Sequence, residues 1–338
     1  MPVIAPARVL VHPNRIEPNL IITIAQPSGF AQGLGGKKLR QLLSDNDKVV
    51  YQNHVDVRTA VAAQQAAANV LPSATITLDY IQTLTYLIRT RQDYNELDVA
   101  DAGEYNVALP AAYRLAARQG INQFIRAAFI YGVNASNSEG IINTPNATAV
   151  TLPPDTFGDT TLRTYDAGQL AIWFNAQIQA ALQSMFRLGM PGRAVLLGPQ
   201  RIIGTLQWQD IVQVTSYQRP GAGTATTGQV VSKISDENDV TIDWAYDDTL
   251  IGKGAGGTDA VLLLVPEAVV PSIPGINTNE FAKLSPTTDA MILQYTNVAA
   301  PIEITTPIPE GLDVVSMQRI TSGWAPRSNA VNILSLPY

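Results

Sequence analysis

Residues 106–132 constrain the fold more than any other stretch. Tyr113, Ala117, Ile121, Phe124, Ala128 and Tyr131 recur at spacings of 4, 4, 3, 4 and 3, which is one apolar stripe on an α-helix. Asn106 is placed to cap that helix, Pro110 suits its first turn and Gly132 its end. At 1.5 Å per residue the pattern predicts a rod of roughly 30–35 Å over about 108–131. Arg114, Arg118, Asn122 and Arg126 advance in steps of four along another face. No acidic residue lies between Glu104 and Glu139, so these arginines have no partner within the helix. Two readings stay open: a solvated face, or a basic ridge facing a polyanion or a neighbouring subunit's carboxylates.

The flanking chain is of a different kind. Pro2, Pro6, Pro13 and Pro18 block regular helix before residue 20. A short strand-like run follows at 20–25, then a Gly-rich stretch, then a candidate short helix at 38–43. Such a segment has little core of its own. Residues 52–58 and 74–86 alternate polar and apolar, which predicts two strands. The 59–73 link is too long for a tight hairpin and reads as a projecting loop or a short Ala-rich helix. Downstream, Asp166 opens a second helix with Leu170, Phe174, Ile178 and Leu182 on one face and Gly189 as its stop. A buried strand is expected at 194–197 and a short helix after Pro199. Further strands are expected at 211–215, 240–244, 260–265, 290–295, 302–305, 312–320 and 330–334, with a polar loop at 219–229.

Composition removes several classes of function. There is no Cys, so disulfides, thiol catalysis and thiolate metal sites are out. His12 and His54 alone leave little room for imidazole chemistry or multi-His metal sites. Charged residues are only 15% of the chain and the net charge is −6, which argues against a wholly basic nucleic-acid binder but not against a local basic face. The longest apolar run, 260–265, has six residues, whereas a membrane span needs about 20. The proline-broken opening has no signal-peptide core, so a protein used without export is expected.

Motif tests yield no catalytic constellation. Gly252–Gly257 matches G-x-G-x-x-G literally, but a strand, not a helix, is expected next, so it reads as a turn. Three acidic groups, Asp236/Glu237/Asp239, Asp247/Asp248 and Glu96/Asp98/Asp101, offer carboxylate pairs for hydrolysis or a hard cation. Each falls in an expected turn and reads as solvated. No catalytic, metal or cofactor residue is assigned.

The order of elements resembles the major capsid proteins of tailed bacteriophages, the Hong-Kong-97-type fold. The residues that carry the resemblance lie within 78–143: Tyr86 to Arg91 as a strand, an acidic turn, the Ala/Arg-rich helix ending in Tyr131-Gly132, and the loop Gly140-Ile141-Ile142-Asn143. The resemblance implies an α+β fold with an N-terminal arm (1–48), an extended loop (49–80) and a peripheral domain (81–157) whose long spine helix is the rod above. It further implies an axial domain (158–298) and strands returning to the peripheral domain (299–338). It implies a structural protein, not an enzyme, self-assembling as hexamers and pentamers into an icosahedral head shell around double-stranded DNA. Its place would be the virion capsid, and the host cytoplasm during assembly. The spine faces the interior in this family, so Arg114, Arg118 and Arg126 become candidates for non-specific DNA contact or intersubunit contact. Scaffolding, portal or decoration proteins are further candidate partners, and no membrane is implied. Lys37 and Lys38 do not match the family's cross-linking pattern, so no cross-link is claimed. An encapsulin-type compartment shell shares the fold and stays open from sequence. So do a carboxylate-dependent hydrolase using Asp247/Asp248 or Glu96/Asp98 and a tail or baseplate protein. A shell subunit should also expose clearly more than the roughly 13,000 Å² of a compact protein of this mass.

Overall fold

The computed structural model describes residues 29–34, 40–58, 75–104, 108–186, 190–208, 240–269 and 290–338. In chain order its elements are α1 (Phe30–Gly33), β1 (Val49–Arg58), β2 (Thr75–Asn95), α2 (Glu96–Glu104), α3 (Leu109–Tyr131), β3 (Thr148–Thr151), α4 (Ala167–Phe186), β4 (Met190–Gly198) and α5 (Gln200–Trp208). Then come β5 (Thr241–Tyr246), β6 (Asp259–Val269), β7 (Ala290–Ile292), β8 (Ile302–Ile308), β9 (Gly311–Thr321) and β10 (Val331–Leu336). The strand-like run at 20–25, the link at 59–73, Asn106, Gly189, and the segments 211–215 and 219–229 lie outside the described residues.

The strands form two sheets. The first has the order β1-β2-β9-β8 and is antiparallel throughout. The second runs β3-β10-β6-β4-β5, with β7 on β6. It is mixed: β3 and β10 are parallel, as are β4 and β5.

The spine helix α3 spans both sheets. Its expected apolar stripe is rotated slightly: Ala117, Ile121, Ile125 and Ala128 are buried, whereas Phe124 is 43% exposed. At 100° per residue, Phe124 lies 60° to one side of Ile121 and Ile125 only 40° to the other, so Ile125 rather than Phe124 stays near the line that meets the sheet. Ile121, Ile125 and Ala128 pack with Ile320 and Val298, and with Phe30, Tyr86 and Ile88, on one face of the first sheet. Nearer the helix start, Tyr113 stacks on Tyr94, with ring centroids 6.0 Å apart and planes within 9°. The last turn, Phe129 and Ile130, belongs to the second sheet, against Val195, Leu197, Leu262 and Leu264.

That second sheet is covered on both faces. Helices α4 and α5 put Leu170, Phe174, Ile178, Ile202 and Leu206 over Leu196, Val261 and Leu263, while the helix end covers the opposite face. This double burial is why 260–265 is an unbroken apolar run rather than an alternating one.

Three expectations change here. The segment 40–43 is not helical: Arg40 bridges Asn297 in parallel, its N–H donating to Thr296 O at 3.3 Å and its carbonyl oxygen accepting from Val298 N at 2.9 Å. The short helix is instead α1, whose Phe30 packs on Phe129. Glu96, Asp98 and Asp101 are in helix α2, not a turn, with Glu96 and Asp98 in the first turn where the helix dipole favours acids. Finally, the strands of 299–338 separate: β8 and β9 join the first sheet, but β10 enters the second, where five of its six residues are buried. A strand apolar on both sides needs an interior position, and only the two-faced sheet offers one.

Strand β8 lies open, with six of its seven residues exposed.

Candidate assembly surfaces

The Gly-Ile-Ile-Asn loop is a packed joint between the spine helix and both sheets. Gly140 has φ 90° and ψ 146°, a conformation that L side chains rarely adopt. There its N–H donates to Gly323 O at 3.2 Å, and Gly323 N donates to Ala128 O at 3.0 Å. A Cβ on either glycine would run into neighbouring backbone. Ile141 is fully buried. Asn143 Nδ2 donates to Tyr131 O at 2.8 Å and Glu139 O at 2.9 Å, so it covers a carbonyl that the helix end leaves unpaired.

Glu139 is the centre of this joint, and sequence reasoning missed it. It is 1% exposed. It accepts from Tyr86 OH at 2.7 Å, Ser322 Oγ at 2.7 Å and Asn134 N at 3.1 Å. These come from β2, from the chain leaving β9, and from the loop after α3. Burial, followed by the bond to Glu139 and its charge, pushes the Tyr86 hydroxyl up to about 12. The only sequence signal was isolation: Glu139 is the sole acidic residue between Glu104 and Asp155.

The three arginines of the ridge separate. Arg114 Nε and Arg118 Nη2 lie 3.8 Å from the two oxygens of Glu303 on β8. Their side chains remain 54% and 70% exposed. Two cations sharing one carboxylate at that distance leave an outward positive charge, held weakly. Arg126 instead turns inward, its Nε 3.9 Å from the buried Oδ2 of Asp247. It ties the helix to its own chain.

The first sheet presents two further surfaces. Alternate residues of β2 and β9 face α3; their neighbours face away. The far side carries Leu87, Val315, Met317 and Ile302, partly exposed, with Ile304 and Ile308 exposed and Arg89 and Arg91 alongside. Arg91 is held by Asp313 at 3.0 Å. On the hairpin formed by β1 and β2, Tyr51 and Tyr80 are exposed and meet edge to face, with centroids 5.8 Å apart. Leu84 lies exposed on the same strand.

The carboxylate pairs do structural work. Asp247, expected in solvent, is 2% exposed. It starts a short 3-10 turn, accepting from Thr249 N at 3.1 Å and Thr249 Oγ1 at 2.6 Å. Asp248 accepts from Gln200 N at 2.8 Å and so caps α5. Asp259 forks with Arg201 at 2.6 and 2.7 Å. Gly252–Gly257 is a turn leading into β6. Asp236, Glu237 and Asp239, like Lys37 and Lys38, lie outside the described residues. Among the described residues no three His, Asp or Glu side chains gather as a metal site, and no helix is long and apolar enough to cross a membrane.

A family model described as the Pa193 gp26 major capsid protein matches residues 10–187, just over half of the chain. The chain belongs to that family. No curated protein matches this major capsid protein in sequence. Its fold is the Hong-Kong-97 type, shared with solved phage capsids. It aligns with the capsid of Myoviridae phage XM1 at a TM-score of 0.64 and 12% identity, covering 95% of this chain and 96% of that one. For the capsid of the cyanophage P-SCSP1u the TM-score is 0.57 at 11% identity, over 95% and 92% of the two chains. For the capsid of an empty GTA particle it is 0.57 at 10% identity, over 97% and 96%. The family is a structural one, and the phage head shell is the reading it favours over a compartment shell or a hydrolase.

Proposed function

We propose that this major capsid protein closes into hexamers and pentamers of an icosahedral shell around double-stranded DNA. The observation that carries the proposal is the open first sheet. An apolar face flanked by arginines, an exposed edge strand and an exposed tyrosine pair occur on one sheet. A soluble monomer rarely keeps so much unfilled apolar surface. In this reading the arm (1–48) and the extended loop (49–80) lie on neighbouring copies. The peripheral unit is built on the first sheet and α3, and the axial unit on the second sheet, which takes β10 with it.

Arg114 and Arg118 are the proposed inner-face contacts to phosphate, and Arg126 serves the helix's own seat. Such contacts are independent of base sequence and weaken with salt. Scaffolding, portal and decoration proteins remain proposed partners, with assembly in the host cytoplasm. Negative-stain microscopy and sedimentation of the purified protein test the assembly: polygonal shells or capsomers are expected. A single species at low sedimentation coefficient up to high concentration would refute it. The ultraviolet absorbance ratio of particles from infected cells separates a DNA-filled head from a protein-filled compartment.

A further inference from the structure

Helix α5 and the chain around it form a cleft of about 620 Å³. That is the size of a small-molecule site, far more than a bare ion fills. Its walls come from three places in the sequence: Arg163 before α4, Gln200 to Gln207 along α5, and Tyr246 at the end of β5. Gln200, Gly204 and Gln207 fall at i, i+4 and i+7, one face of the helix, with Arg201 and Thr205 alongside. Gly204 leaves the floor open: a Cβ there would meet nothing within 4 Å.

The lining is rich in donors, and among the described residues that form it none is acidic. Arg201 is held in place: its Nε and Nη2 fork onto Asp259, which leaves Nη1 to the cleft. Arg163 has no carboxylate partner among the described residues; its Nη2 donates to Tyr338 Oη at 3.3 Å. Both guanidinium carbons lie 4.8 Å from the centroid of the Tyr338 ring, so the two cations are no farther apart than twice that distance. Asp259 pairs with one of them, and the other is left over. Tyr246 Oη donates to Gln207 Oε1 at 3.2 Å, so the Nε2 of that amide remains a donor. The Tyr246 ring is 40% exposed. Asp248 already caps the start of α5 through Gln200 N, so the cleft offers side chains and not a bare helix end.

We infer that this cleft binds a phosphate group carried on a ligand of about nucleotide size. Guanidinium groups beside neutral amides suit a phosphate, whose oxygens accept from several directions at once. A lone carboxylate offers two oxygens in one plane and leaves most of the volume unfilled. The Tyr246 ring gives a planar base a face to stack on. The phosphate belongs either to a free nucleotide or to a nucleic-acid strand. The inference concerns the single subunit and a different helix from Arg114 and Arg118, so it stands or falls apart from the shell reading.

Calorimetric titration of the unassembled full chain at low salt tests it. The probes are a deoxynucleoside 5′-monophosphate, the same nucleoside without phosphate, inorganic phosphate, acetate and a short single-stranded oligonucleotide. The monophosphate should bind at least about tenfold more tightly than the nucleoside, and Arg163→Gln should remove at least about tenfold of that affinity. Gly204→Leu fills the cleft from a helix position with room for it. It should abolish binding while leaving the subunit's melting temperature unchanged or raised. An oligonucleotide that outbinds its monophosphate and is lost in Gly204→Leu assigns the phosphate to a strand; equal affinity assigns it to a free nucleotide, and both results keep the inference. Binding that survives Gly204→Leu overturns it, as does equal affinity for nucleoside and monophosphate, or no binding of any phosphate probe at millimolar concentration. Acetate competing as well as inorganic phosphate overturns it in favour of a carboxylate ligand.

Discussion

Removing the Glu139 side chain should cost far more than an exposed loop position would. The residue is 1% exposed and accepts from Tyr86, Ser322 and Asn134. In Glu139→Ala the Tyr86 hydroxyl can turn to water, because its ring is only partly buried. The Ser322 hydroxyl is fully buried and the Asn134 amide partly so. Each unsatisfied buried donor costs about 1–3 kcal/mol, and bonds to a charged acceptor lie at the upper end. Allowing for partial rehydration of the space left, Glu139→Ala should lose about 2–4 kcal/mol. Glu139→Gln keeps one acceptor, and the hydroxyls can rotate to meet its amide, so about 1–2 kcal/mol is expected. Urea unfolding of the unassembled subunit, followed by tryptophan fluorescence, measures both; Trp324 lies two residues from Ser322 and reports on the joint. A double-mutant cycle with Tyr86→Phe should give a coupling of about 1–2 kcal/mol. A loss under about 0.5 kcal/mol for Glu139→Ala, typical of a neutral surface change, would refute the claim that this carboxylate holds the joint.

Other outcomes follow from the same contacts. Ile125→Ala, at 1% exposure beneath the spine, should cost about 2–4 kcal/mol in chemical denaturation, whereas Phe124→Ala should cost under about 1 kcal/mol. Gly140→Ala places a side chain at φ 90° against backbone and should yield little soluble protein at 37 °C; recovery at wild-type levels would contradict the crowding. Tyr86 and Tyr295 both titrate near about 12 in the fold, against an ordinary 10, each chiefly through burial. Their contribution is intact below pH 10 and drains away as the pH climbs towards about 12. Thermal melts across that range should fall, and Tyr86→Phe should shallow the decline. Arg114→Glu with Arg118→Glu should weaken and flatten the salt dependence of DNA binding in a filter assay, without shifting the subunit's melting temperature by more than about 2 °C.

What could be read beforehand was local in origin. The spine helix was legible because its period repeats over more than six turns and Gly132 closes it. The 260–265 run was legible as a strand, and the covering of both its faces, which the sequence reading did not draw, accounts for its six consecutive apolar residues. Asp166 was visible as a cap, and it accepts from Gln169 N at 2.8 Å. The fate of Glu139 was not visible, since a glutamate among Gly, Asn and Ser reads as solvated until Tyr86 and Ser322, 53 and 183 residues away, arrive around it. Asp247 was misread for the same reason. The choice between Phe124 and Ile125 depended on where the sheet lies against the helix, which no helical wheel contains. The arginine ridge was legible as a pattern, but its division between Glu303 and Asp247 needed the tertiary placement of β8 and the 247 turn.

The long strand β2 has one mechanical consequence. At 21 residues it stretches about 70 Å, yet no residue of it is laddered on both sides. Residues 75–84 pair with β1 and residues 85–95 with β9. The exchange falls between Leu84 and Thr85, where the chain is held by Thr85 N to Lys48 O at 3.1 Å, Thr85 Oγ1 to Asp47 O at 2.6 Å, and Arg319 Nη1 to Thr85 Oγ1 at 3.1 Å. A lever pivots most cheaply where its supports change hands. The support of β2 thus passes from one partner strand to the other across a single peptide, fastened there by three bonds, and each half keeps a register of its own.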